Sequence, residues 1–196
     1  KTTFLPDEEI FDDTEIHYER VAKRLKTLAY LVDGATITLT DERQEPVKTV
    51  TYNYLGGISD YVLSMTESKK PINEMPIKID GEKDGIRVSV AMQYTDGTDE
   101  SIFSFVNNVA TPDGGTHVTG FRSALTKTLT DYLSNSKEKL NFEREDFREG
   151  LTAAVSIKIK NAQFEGQTKT RLGNAAARTA VEAVTLEGLN AFFSDL

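Results

Sequence analysis

Residues 77–109 read IKIDGEKDGIRVSVAMQYTDGTDESIFSFVNNV, and this stretch decides the fold class. Ile86, Val88, Val90, Met92 and Tyr94 alternate strictly with Arg87, Ser89, Ala91 and Gln93. A period of two residues puts the first set on one face of a half-buried strand and the second set on the other. Glu82 to Gly85 turns the chain back toward a partner at Ile77 to Asp80, and Thr95-Asp96-Gly97-Thr98 leads on to a further strand from Ser101 to Val109. Strands joined by such short turns predict an antiparallel meander.

Outward from this centre the pattern alternates between helix and strand. Tyr18, Val21, Ala22, Leu25, Leu28, Ala29 and Val32 recur at steps of three and four, an apolar helical stripe that Asp33-Gly34 ends. Ala35, Ile37 and Leu39 then alternate with Thr36, Thr38 and Thr40, and a second strand follows near Val47 to Tyr54 across a charged turn, Asp41 to Pro46. A short helix is predicted over Ile58 to Met65, with Pro71 and Pro76 marking the way to the central strands. A longer helix, His117 to Leu133, buries Val118, Phe121, Leu125, Leu129 and Tyr132. Leu151, Ala153, Val155, Ile157 and Ile159 alternate with Thr152, Ala154, Ser156, Lys158 and Lys160, and a last helix starts near Asn174 or Ala175, its centre weakened by Gly188. The order predicts an α+β fold, a mainly antiparallel sheet backed by helices.

At 196 residues and 38% hydrophobic content, the chain can bury the core of one domain without disulfides. The absence of cysteine fits the cytoplasm and removes thiolate metal sites and cysteine nucleophiles. No apolar run approaches the length of a membrane span, and no signal-like start is present. A net charge of −8 speaks against a surface that binds nucleic acid everywhere. Acidic residues crowd the beginning (Asp7, Glu8, Glu9, Asp12, Asp13, Glu15, Glu19), whereas Lys158, Lys160, Lys169, Arg171 and Arg178 come late. Those late cations are either one basic face or scattered solubilising charges.

The chemistry-bearing stretch is Gln163 to Asn174, QFEGQTKTRLGN. Gly166 lets the backbone approach a ligand, Gln167 and Thr168 offer directional hydrogen bonds, and Lys169 brings a compact charge, a combination able to grip phosphate. The alternative is that Gln167 and Thr168 cap the coming helix while Lys169 is merely solvated. Arg122, beside an apolar helical seam, reads either as a structural arginine paired with a carboxylate or as a ligand contact. His17 and His117 lack companions for a metal site, and Glu143, Glu145, Asp146 and Glu149 read as a solvated turn with local ion pairs. Neither a Walker loop nor a GxGxxG fingerprint is present around Gly114-Gly115.

The wording FEGQTKTRLGN (Phe164 to Asn174) closely resembles the B subunit of bacterial-type DNA gyrase. So do Arg148-Glu149-Gly150-Leu151-Thr152, Ser104-Phe105-Val106-Asn107-Asn108 and Gly114-Gly115-Thr116-His117. The likeness runs from Phe4-Leu5-Pro6-Asp7 and Ala22-Lys23-Arg24-Leu25 through Tyr54-Leu55-Gly56-Gly57-Ile58 to the last helix. It implies the transducer domain of a type IIA topoisomerase, spanning residues 1–196, with 1–6 as the tail of a preceding ATP-binding domain and 174–195 as a long C-terminal helix leading toward a metal-binding cleavage domain. The chain therefore reads as an excised fragment, inactive alone, from an enzyme that hydrolyses ATP with magnesium, neither the metal nor the general base lying here. The family's architecture resembles the second domain of a small ribosomal-subunit protein, with a left-handed βαβ crossover where the ordinary handedness rule expects the opposite.

By the same resemblance Gln167 and Lys169 contact the terminal phosphate of ATP, Lys169 also assisting phosphoryl transfer, while Arg122 and Lys127 face a cavity for double-stranded DNA. The implied partners are the preceding domain, the gyrase A subunit, DNA and a second copy of the gyrase B chain that joins on ATP binding; the implied output is DNA supercoiling in the cytoplasm, away from any membrane. The corresponding chain of topoisomerase IV is the alternative within the family, and a stand-alone interaction module of similar fold is the alternative outside it. Two departures stand out: the segment between Ser134 and Arg144 is shorter than in many relatives, and the opening Lys1-Thr2-Thr3-Phe4 is compressed.

Overall fold

The computed structural model describes residues 1–135 and 142–194, so the segment between Ser134 and Arg144, expected to be shorter than in many relatives, lies largely outside the described residues. Helix α1 (Tyr18–Leu31) precedes a hairpin of β1 (Ile37–Asp41) and β2 (Lys48–Tyr52), and α2 (Ile58–Thr66) leads into the main sheet. That sheet contains β3 (Ile77–Lys83), β4 (Ile86–Tyr94), β5 (Ser101–Val106), β6 (Val109–Ala110) and β7 (Leu151–Lys158). Helix α3 (Thr116–Ser134) lies between β6 and β7, and α4 (Ala175–Ser194) follows the sheet.

The hairpin β1–β2 forms a sheet of its own, and the five-stranded sheet runs in the order β3-β4-β7-β5-β6. The predicted meander is therefore broken. Strands β3 and β4 pair antiparallel as expected, but β7 inserts between β4 and β5, antiparallel to the first and parallel to the second. The turn at residues 95–98 consequently carries the chain past one strand width instead of closing a hairpin. The segment from β5 through α3 to β7 is a βαβ crossover inside a mainly antiparallel sheet. The predicted strand Ser101 to Val109 is split at Asn107 and Asn108, both at positive φ (49° and 66°), which reverses the chain into β6. Asparagine tolerates that region better than most residues.

Each face of the sheet has its own core. Val88, Val90, Met92, Val155 and Ile157 pack with Phe121 and Leu125 of α3 and Val181 and Leu189 of α4. On the opposite face Ala91, Ala154 and Phe105 lie under Tyr30, Ile58, Tyr61 and Val62. Ala91 and Ala154 are register partners, and two methyl groups side by side let α2 sit close to the backbone. The alternation predicted for β4 and β7 thus separates the faces correctly. Residues 151–157 of β7 are buried on both sides, and so are residues 90–93 of β4, the strand expected to be half-buried, because both strands lie inside the sheet with helices on each face.

Gly188 in the middle of α4 has a packing reason. A Cβ there would lie 2.4 Å from Ile79 Cγ2, so the glycine lets the helix rest directly on β3. Gly120 does the same between α3 and α4, where a Cβ would lie 2.4 Å from the Arg178 carbonyl oxygen.

Candidate functional site

Between β7 and α4 the chain projects a finger. Glu165 N–H donates to the Arg171 carbonyl at 3.0 Å and Gly173 N–H to the Gln163 carbonyl at 2.8 Å, which closes its two limbs like a hairpin. Lys169 N–H returns to the Gly166 carbonyl at 3.1 Å across the tip, with Lys169 held at φ 56°. Left-handed backbone disfavours a lysine relative to glycine, so the tip carries a modest strain where its charge is displayed. Gln167 and Lys169 are exposed, and neither side chain makes a hydrogen bond or ion pair among the described residues. Neither Gln167 nor Thr168 caps α4. The residue before that helix is Asn174, whose side chain accepts from Gln163 N–H at 2.7 Å and donates to the Asn161 carbonyl at 2.9 Å.

The root of the finger is fixed to the start of α3. Leu172, fully buried, donates to the Gly114 carbonyl at 3.1 Å and accepts from Thr116 N–H at 3.0 Å. Asp113 N–H donates to the Thr170 carbonyl at 3.0 Å. Arg171 adds a side-chain tie, pairing with Glu165 at 3.1 Å and donating to the Asp113 carbonyl at 2.9 Å. A rigid root and an unpaired, polar, exposed tip suit a group that must reach out of its own domain. Such donors fit the outer end of a phosphate chain, and nothing on the finger surrounds a whole nucleotide.

Arg122 lies on the first turns of α3 and is paired with a carboxylate. It makes a side-on pair with Glu100, Nε to Oε1 at 3.0 Å and Nη2 to Oε2 at 2.8 Å. It also lines an open groove of about 580 Å³ together with Lys127, Thr130, Asp131, Arg144 and Arg148. Nothing in the sequence marks Arg144 and Arg148 as groove residues. Only the return of the chain through the 3-10 turn Asp146–Arg148 brings them opposite α3. The carboxylates near them behave as a local turn: Glu145 pairs with Arg148 at 3.3 Å, and Asp146 accepts from Glu143 N–H at 2.8 Å.

The late cations are not gathered into one face. Lys158 lines a separate cavity with Asp33, Asp80 and Glu82, and Arg178 lines a groove on α4 with Glu182. His117 is fully buried, and burial holds its pKa down at about 4. It lies 3.1 Å from Thr111 Oγ1, which in turn lies 2.7 Å from Ser104 Oγ. Ser104 donates to the Thr111 carbonyl, so a consistent chain has His117 Nε2–H donating to Thr111 and Thr111 donating to Ser104. His17 pairs with Asp13 at 3.3 Å on the surface. Among the described residues no group of three or more His, Asp or Glu is placed to hold a metal ion. None of their helices is long and apolar enough to cross a membrane.

The DNA gyrase B family model matches residues 57–195. The DNA gyrase B chain of Bacillus mycoides is 46% identical over 196 residues, 97% of this chain and 48% of that protein. The B chain of the type 2 topoisomerase of Aquifex aeolicus is 47% identical over 197 residues, 98% of this chain and 25% of that protein. Among solved structures, the 43K ATPase domain of Thermus thermophilus gyrase B, in complex with an aminocoumarin, superposes with a TM-score of 0.86 at 32% identity, covering 97% of this chain and 52% of that one. The chain thus spans about half or less of the length of these relatives.

Proposed function

The chain belongs to the DNA gyrase B family, and from that premise we propose that it is the transducer domain of an ATP-dependent type IIA DNA topoisomerase, gyrase rather than topoisomerase IV. The observation that carries the proposal is the finger: a lysine displayed at a strained, exposed tip, without a partner of its own among the described residues, on a root bonded to α3. Gln167 and Lys169 reach the terminal phosphate of an ATP molecule held by a preceding domain. The exposed Phe4, Leu5, Ile10 and Phe11 offer that domain an apolar surface.

A charge-assisted hydrogen bond from Lys169 contributes about 1.5–3 kcal/mol net, and it exists only while the phosphate is attached. Capture of the tip is transmitted through Leu172 to the first turn of α3, and the close approach at Gly120 locks α3 to α4. The domain therefore turns as one body when the phosphate is bound or lost. In the intact enzyme this rotation accompanies dimer closure and passage of DNA through a cavity faced by Arg122 and Lys127. Lys169 also offsets charge on the transferring phosphoryl group. ATP, with magnesium held elsewhere, the gyrase A subunit and a cytoplasmic setting complete the reading.

A structure of the intact gyrase B chain with a non-hydrolysable ATP analogue tests it. Gln167 and Lys169 within hydrogen-bond distance of the terminal phosphate is the expected result; a finger remote from the nucleotide ends the reading.

A further inference from the structure

We propose that Glu100 is the built-in counterion of Arg122 and limits how strongly the groove can hold a polyanion. The inference rests on reading Arg122 as a contact for DNA phosphates, and it concerns a residue outside the groove's own cations. Glu100 sits just before β5, on the segment that carries the chain past β7. Its carboxylate takes the Nε and Nη2 edge of the guanidinium, leaving Nη1 without a carboxylate partner among the described residues, on a side chain that lines the groove. The Glu100 side chain is 22% exposed and that of Arg122 43%, so the acid is the more enclosed partner and the base faces outward. Arg122 is the sole ion-pair partner of Glu100 among the described residues.

A side-on pair at these distances is nearly neutral when felt from several ångströms away. An approaching phosphate therefore meets an arginine whose charge is already largely balanced. Arg148 has a looser partner in the exposed Glu145, a single contact at 3.3 Å, and Asp131 shares the groove with Lys127. The result is a surface dense in donors but low in net charge. Such a surface can register a DNA segment and let it go, because each contact releases fewer condensed counterions than a free cation would. Glu100 acts only through Arg122 and is in that sense a positioning and charge-setting residue.

The test is direct binding of mixed-sequence duplex DNA to the intact gyrase B chain across a range of salt, with wild type, Glu100→Gln, Glu100→Asp and Arg122→Gln. Glu100→Gln keeps the shape and removes the charge. It is expected to tighten binding about three- to tenfold at low salt and to steepen the plot of log K against log salt by up to about 0.9. Glu100→Asp keeps the charge and is expected to stay near the wild-type slope. Weaker binding in Arg122→Gln with an unchanged affinity and slope in Glu100→Gln overturns the counterion role while leaving the DNA contact intact. Wild-type binding by Arg122→Gln removes the DNA contact itself, and the inference with it.

Discussion

Leu172 and Gly115 touch through their backbones, and a Cβ at 115 would lie 2.4 Å from the Leu172 carbonyl oxygen and 2.5 Å from its nitrogen. This contact joins the finger to α3. It exists because Gly115, at φ 134°, adopts a conformation that L side chains rarely take.

Gly115→Ala should therefore cost about 3 kcal/mol or more of folding stability, read by urea denaturation, since strain and a backbone collision add. Gly34→Ala is the control. It also has positive φ (72°) but open space around it, and about 1 kcal/mol is expected. Equal losses at the two positions would show that the Leu172 contact is unimportant.

Gly188→Ala separates helix propensity from packing. Propensity alone predicts a gain of about 1 kcal/mol in α4. The 2.4 Å approach to Ile79 Cγ2 predicts a net loss of about 1–3 kcal/mol. A rise in melting temperature would contradict the packing account.

Lys169→Ala in the intact gyrase B chain should lower ATP hydrolysis by about tenfold or more while changing nucleotide affinity much less. The ammonium is worth most where charge develops on the transferring group. Parallel losses in kcat and affinity would point to simple binding and not to sensing.

The 196-residue chain by itself should show no nucleotide-dependent ATPase activity in a coupled assay, because the finger offers donors to one end of a phosphate chain and nothing more. Specific turnover by this chain would contradict the division of labour proposed for it.

Stability should fall on acidification through His117. Its folded pKa, about 4, lies below the ordinary 6.5, so between those values the unfolded chain binds the extra proton and the folded one does not. The contribution is complete above pH 6.5, declines as the pH drops and is gone near pH 4, a loss of up to about 3 kcal/mol. Urea melts across this range should show the slope in the wild type and a reduced one in His117→Gln.

The split of β4 and β7 into an α3/α4 face and an α1/α2 face was legible in the alternation of residues 86–94 and 151–158, because side-chain direction in a strand follows the backbone period. Helix positions were legible for the same local reason. The finger was marked by residue types whose chemistry suits phosphate, and the wording around it pointed to the family that residues 57–195 match. The sequence by itself thus determined most of the elements, most of their buried faces and the kinship. Tyr132, expected to be buried on α3, is exposed at the end of that helix, and the strand expected over residues 101–109 is two.

Strand order, the paired state of Arg122 and the anchorage of the finger were decided by tertiary structure alone. Every strand edge presents the same N–H and C=O groups, so nothing local told β5 to pair with β7 instead of β4. Glu100 and Arg122 meet only because that order places the start of β5 beside α3, and Leu172 reaches Gly115 only once both have left the sheet. Local polarity and backbone period are written residue by residue; the partner across a gap is selected by which surfaces the whole chain can bury together.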